Sequence, residues 1–144
     1  MSLTASARRT GSTLRHEVDV NGRHAIVTDE PAGLGGTDSG PAPHELLAAA
    51  LASCVSTMIA LYANRKQWDI GEISVDVEYD HDSEPSRFDT TVNLPDGLTQ
   101  DQIERLQRVA DTCPVRRALE AGFSFDEHIS FPAQDPATPN APDA

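Results

Sequence analysis

The apolar and polar positions of this chain fall into three kinds of pattern. Residues 13–20, TLRHEVDV, alternate, with Leu14, His16, Val18 and Val20 on one side and charged residues on the other. A period of two predicts a strand with one buried face. Asn21-Gly22 follows, the strongest short hairpin signal, and RHAIVTD (23–29) supplies the returning strand. Residues 72–80 alternate again through Ile73, Val75, Val77 and Tyr79, and a turn around Pro85 leads to FDTTVNL (88–94), a second hairpin. Between the hairpins the pattern changes. From Leu46 to Asn64 there are 19 consecutive residues without a charge, six of them Ala, with no Gly or Pro among them. This composition favours a helix across the stretch Pro41–Trp68, with Pro43 and Glu45 in its first turn and Arg65 and Lys66 near its last.

That helix has no polar stripe, so it belongs at the centre of a core or in a bilayer. Its length permits a bilayer span. The alanines and the polar Ser53, Ser56, Thr57 and Asn64 argue instead for close packing against another helix. A chain of 144 residues can hardly cover such a helix on every side, which points to a partner subunit.

Further along, Thr99-x-x-Gln102 is a capping box, and Ile103, Leu106, Val109 and Ala110 have helical spacing. Cys113-Pro114 interrupts the helix, because a residue before proline avoids the helical region. Pro114 opens a short second helix that runs to Glu120 with Gly122 as its cap. FSFDEHISF (123–131) reads as a last strand. The predicted order is β-β-α-β-β-α-α-β, an α+β domain of antiparallel hairpins with helices grouped on one face. Residues 1–12 are expected to be a flexible arm, 13–131 the domain, and 132–144, rich in Pro and Ala, a disordered tail.

Composition narrows the function. Eleven Lys and Arg against 23 Asp and Glu give a net charge of −12, which repels nucleic acid and anionic membranes. No apolar run follows Arg8 and Arg9, so no signal peptide is predicted, and a cytoplasmic location follows. Two cysteines are too few for a disulfide scaffold. The five histidines are scattered and no C-x-x-C occurs, so neither a metal site nor a cofactor is expected. Taken alone, Cys54 in the apolar helix looks like a small core residue. Cys113 lies at a helix start, where free amides and the dipole favour a thiolate, although it would equally fill the gap left by the kink.

The run G-P-A-P-H-E-L-L-A-A-A-L-A-S-C (40–54), the helix after it and D-T-C-P-V (111–115) resemble the OsmC/Ohr family of osmotically inducible and organic-hydroperoxide-resistance proteins. The D-E-P…G-G-T-D-x-G-P stretch from Asp29 and the Y-A-x-R-K-x-W ending of the helix (62–68) resemble its OsmC-like branch. The resemblance spans residues 13–131. It implies an OsmC-like fold, with antiparallel hairpins around two central helices in an intertwined homodimer. It also implies a thiol peroxidase. Cys54 would attack an organic hydroperoxide and become a sulfenic acid, and Cys113 would resolve it to a disulfide that an external thiol or dithiol reduces.

The family activates its peroxidatic thiol with an arginine from the N-terminal sheet, held by a glutamate directly after the proline. Arg23, just past the Asn-Gly turn, is preferred here over Arg15 for the arginine. At the glutamate position this chain carries His44, with Glu45 one place later and so about 100° further round the helix. Ten residues of helix, about 15 Å, separate His44 from Cys54, so any help from His44 or Glu45 would come across the dimer. The displaced glutamate leaves a second function open: a binding module that holds a small apolar ligand at the dimer cleft with little turnover.

Overall fold

The computed structural model describes residues 1–132. The expected tail from 132 therefore lies outside the described residues, apart from Pro132. Eight principal elements follow in order: β1 (Ala5–Arg9), β2 (His16–Val20), β3 (His24–Thr28), α1 (Pro43–Lys66), β4 (Ser74–Asp80), β5 (Arg87–Asn93), α2 (Gln100–Ala110) and α3 (Pro114–Ala121). The architecture is α+β, with antiparallel sheets β1-β2-β3 and β4-β5.

Two differences from the predicted order stand out. Ala5–Arg9, expected to be part of a loose arm, pairs with β2 from Ala5 opposite Val20 to Arg9 opposite His16. All five of its residues are exposed, so the hydrophobic pattern carries no trace of it. Backbone pairing holds it, together with the Asn21 side chain, whose Oδ1 accepts from Thr4 N–H at 2.8 Å. The predicted last strand, Phe123–Phe131, does not form. Its side chains stay exposed, Phe125 at 81% and Ile129 at 91%. An alternating pattern becomes a strand only where a sheet edge lies beside it, and this segment pairs with none of the described strands.

The hairpins are close to expectation. Asn21 and Gly22 both have left-handed φ, 55° and 65°, which asparagine and glycine tolerate. Arg23 belongs to this turn rather than to the strand, because β3 begins at His24. In the second hairpin Val75 faces Val92 and Val77 faces Thr90. This face, with Ile73 and Phe88, packs on α1.

On α1 the buried positions are Leu51, Val55, Ile59 and Ala63, one every four residues. That row meets Leu106 of α2, Ile70 and Cys113 to form the core. Ile59 is fully enclosed, so Ile59→Ala would cost about 2–5 kcal/mol. The other side of α1 remains open, with Leu61 51% exposed. The helix is long and apolar enough to cross a membrane by length and composition alone. It ends where Gln67 turns left-handed at φ 56° and Trp68 N–H reaches back to the Ala63 carbonyl at 2.9 Å. The predicted capping box opens α2, with Thr99 Oγ1 accepting from Gln102 N–H and Gln102 Oε1 from Thr99 N–H.

Between β3 and α1 the chain is gathered around one carboxylate. Asp29 is 1% exposed and accepts hydrogen bonds from the N–H and hydroxyl of both Thr37 and Ser39, and from Glu30 N–H. Gly36 and Gly40 run so close to the Glu30 and Val27 carbonyls that neither has room for a Cβ. This knot delivers Pro43 to the start of α1, and Asp29 N–H bonds the Pro41 carbonyl. The β1-β2-β3 sheet makes no substantial contact with α1 or with β4-β5 in the same chain.

Candidate active site

Cys54 lies in the middle of α1, half-buried between the core positions Leu51 and Val55. Cys113 is fully buried and forms the N-cap of α3, with Pro114 as its first residue. Proline suits that place because it has no N–H to leave unpaired. Packing of α1 against α3 brings the two cysteines together: half-buried Cys54 packs against the core cluster that contains Cys113, and the Cys113 thiol is close enough to raise that of Cys54. Both are free thiols.

Local pattern had assigned the amides at the start of α3 to Cys113. In the structure the Val115 N–H lies near the Cys54 sulfur and favours its thiolate. Burial, contact with the Cys113 thiol and that neighbour's charge act the other way and hold the Cys54 thiol above the ordinary range. No basic side chain contributes to Cys54 within one chain. Arg23 is exposed in the β2–β3 turn. Arg15, just before β2, has its Nη1 3.6 Å from Glu17 Oε1.

Glu45 is taken up by its own helix: its Oε2 accepts from Ala42 N–H at 2.8 Å, capping the first turn. His44 points at β4 and the residue beyond it. Its ring lies edge-on to Tyr79 at 5.8 Å and 5.1 Å from the ring of His81. His81 was not singled out by the sequence, and nothing local distinguishes it from an ordinary turn histidine.

Two cavities flank α1. The larger, about 900 Å³, lies between α1, β5 and α2 and is walled by Leu51, Val55, Val92, Leu98 and Leu106, with Arg116 at its rim. Sequence reasoning passed over Arg116, although it follows Cys113-Pro114 closely. Its guanidinium is engaged by Asp111 Oδ1 at 2.6 Å and Glu120 Oε1 at 3.0 Å. The smaller cavity, about 450 Å³, opens at the N-terminal end of α1 among Glu30, Leu34, His44, Glu45, Tyr79 and His81. Among the described residues no three His, Cys, Asp or Glu side chains converge to hold a metal ion.

A sequence model of the family described as OsmC-like protein matches residues 36–128. Among solved structures, one from Psychrobacter arcticus 273-4, assigned to osmotic stress induction and the detoxification response, is 27% identical. It superimposes with a TM-score of 0.67 over 81% of this chain and 87% of its own. An organic hydroperoxide resistance protein OsmC from Legionella pneumophila is 26% identical over 83% of this chain and 89% of its own, with a TM-score of 0.57. An organic hydroperoxide resistance protein from Elizabethkingia anophelis is 25% identical over 81% and 86%, with a TM-score of 0.58. None of the curated proteins matches the chain in sequence.

Proposed function

The chain belongs to the family of OsmC-like proteins, and we propose that it is a thiol peroxidase that reduces organic hydroperoxides. The observation that carries this reading is that packing of α1 on α3 sets Cys54 beside Cys113 at the start of α3. In the first step the Cys54 thiolate attacks one peroxide oxygen. The O–O bond breaks, the alcohol leaves with a proton, and Cys54 is oxidised to the sulfenic acid. In the second step the Cys113 sulfur attacks the Cys54 sulfur, water leaves, and a disulfide forms. An external dithiol then returns both residues to thiols and is itself oxidised.

A thiol held high by burial needs a cation to react at neutral pH. One chain supplies none, and its leftover surfaces indicate the source. The unpartnered β1-β2-β3 sheet, the open side of α1 and the exposed phenylalanines after α3 are surfaces that a second copy would cover. In an intertwined homodimer the partner's sheet brings Arg23 to Cys54. The negative charge and the small number of cysteines fit a cytoplasmic protein.

The test treats reduced protein with one equivalent of cumene hydroperoxide and follows free thiols and intact mass. Rapid loss of both thiols with a mass lower by two hydrogens, absent in Cys54→Ser, is expected. Survival of both thiols for minutes rejects the peroxidase. The raised Cys54 thiol and the large cavity, with its wall of Leu51, Val55, Val92, Leu98 and Leu106, favour one other reading, a binding module for a small ligand with an apolar part. Slow thiols together with a co-purifying apolar molecule would select it.

A further inference from the structure

At the N-terminal end of α1 the fold joins two imidazoles that lie 37 positions apart in the chain, His44 and His81. We infer that His44 and His81 form a two-imidazole site for a borderline divalent d-block metal such as Zn²⁺ or Ni²⁺, separate from the thiols.

The first argument is spacing. Metal–nitrogen bonds of about 2.0–2.1 Å place the ring centroids of two imidazoles on one tetrahedral ion about 5 Å apart. The observed separation is 5.1 Å, with the ring planes tilted by 35°. The second is what lies behind His81. Its Nδ1 is 3.2 Å from Asp82 Oδ1. A carboxylate beside one ring nitrogen is placed to accept from it, the arrangement in which Nε2 is left as the metal-facing donor. The third is rigidity. His44 rides on the first turn of α1, Tyr79 packs edge-on against it, and Tyr79 in turn stacks on Phe88 at 4.4 Å. His81 is the first residue after β4, in the turn to β5, so one ligand sits on a helix and the other directly beside a strand end.

The donor set selects the metal class. Two neutral nitrogens suit zinc, nickel or copper and are poor partners for magnesium or calcium, which take oxygen ligands. No third protein ligand converges on the pair among the described residues. Two positions are therefore left to water or to an outside donor. Glu30 and Glu45 line the same cavity, so its potential favours a cation. Within one chain the pair is separate from the thiols: His44 and Cys54 stand about 15 Å apart along one helix.

The experiment is calorimetric titration of untagged, full-length protein with NiCl₂ and with ZnCl₂ near neutral pH. One ion per chain is expected. Binding should vanish in His44→Ala and in His81→Ala, weaken about 10–100-fold in Asp82→Asn, and persist in the double variant Cys54→Ser/Cys113→Ser. Far-UV circular dichroism establishes that the variants are folded. Both histidines are largely solvent-facing, and His44→Gln serves as a second variant if His44→Ala is unstable. Absence of binding, binding that survives loss of either histidine, or binding that disappears with the cysteines would each overturn the inference.

Discussion

Oxidising Cys54 and Cys113 to a disulfide should make the protein markedly harder to unfold. The bond would close a loop of about 60 residues that contains the second half of α1, β4, β5 and α2. For a loop of that size the chain-entropy estimate is about 4 kcal/mol, from states removed from the unfolded chain. Strain in the folded state subtracts from this. It should be small, because the two cysteines are already neighbours and α1 and α3 are already packed. A net gain of about 2–4 kcal/mol corresponds to a rise in Tm of roughly 10 °C for a chain of this size. The assay is thermal unfolding followed by circular dichroism at one fixed protein concentration, since a dimer's Tm depends on concentration. Peroxide-treated protein is compared with the same protein in excess reductant, and with Cys113→Ser treated alike. A non-reducing gel establishes that the bond lies within one chain. An oxidised protein that melts at or below the reduced temperature would refute the reasoning, as would an equal rise in Cys113→Ser.

Three further outcomes are expected. Arg23→Ala should move the pH profile of Cys54 alkylation upward, because burial and Cys113 then act alone. In that variant the folded state favours the neutral thiol. The associated stability is full below the ordinary thiol value of about 8.5 and is lost as pH rises through the raised one; superimposable profiles for variant and parent would reject a role for Arg23. Asp29→Asn should lower the urea midpoint, because it replaces a buried acceptor of several hydrogen bonds, whose carboxyl the Thr37 and Ser39 side chains hold well below the carboxylate range. A depressed carboxyl contributes fully above about pH 3.9 and loses that contribution only as pH falls through the depressed value, so the gap between parent and variant should be flat from pH 5 to 8; a gap that closes within that window contradicts it. Gly36→Ala should destabilise by about 1–3 kcal/mol in urea unfolding, because the new methyl meets the Glu30 carbonyl; an unchanged midpoint would mean that the loop is not closed as described.

Much of this architecture was legible because it is local. The run from Leu46 to Asn64 specifies a helix whatever surrounds it, and Thr99 with Gln102 marks where the next one starts. Asn21-Gly22 sets a turn through its own tolerance of left-handed backbone. What stayed hidden has a shared cause. β1 carries no apolar alternation, so no periodicity marks it. Phe123–Phe131 carries the alternation but lacks a neighbour, and a strand is a property of two segments. Asp29 stood in a recognisable motif, yet its five bonds depend on Thr37 and Ser39 folding back on it.

By itself, then, the sequence determined the three helices, the two antiparallel hairpins, the two thiols and the family to which their surroundings belong. Short-range sterics, capping and side-chain period settle such features within a few residues. Only the tertiary structure decided which stripe of an evenly apolar α1 is buried, that Val115 serves Cys54 rather than Cys113, and that His44 meets His81. Each of these depends on how faces from distant parts of the chain pack together. An evenly apolar helix leaves that choice to its neighbours, because burial rewards area and not direction.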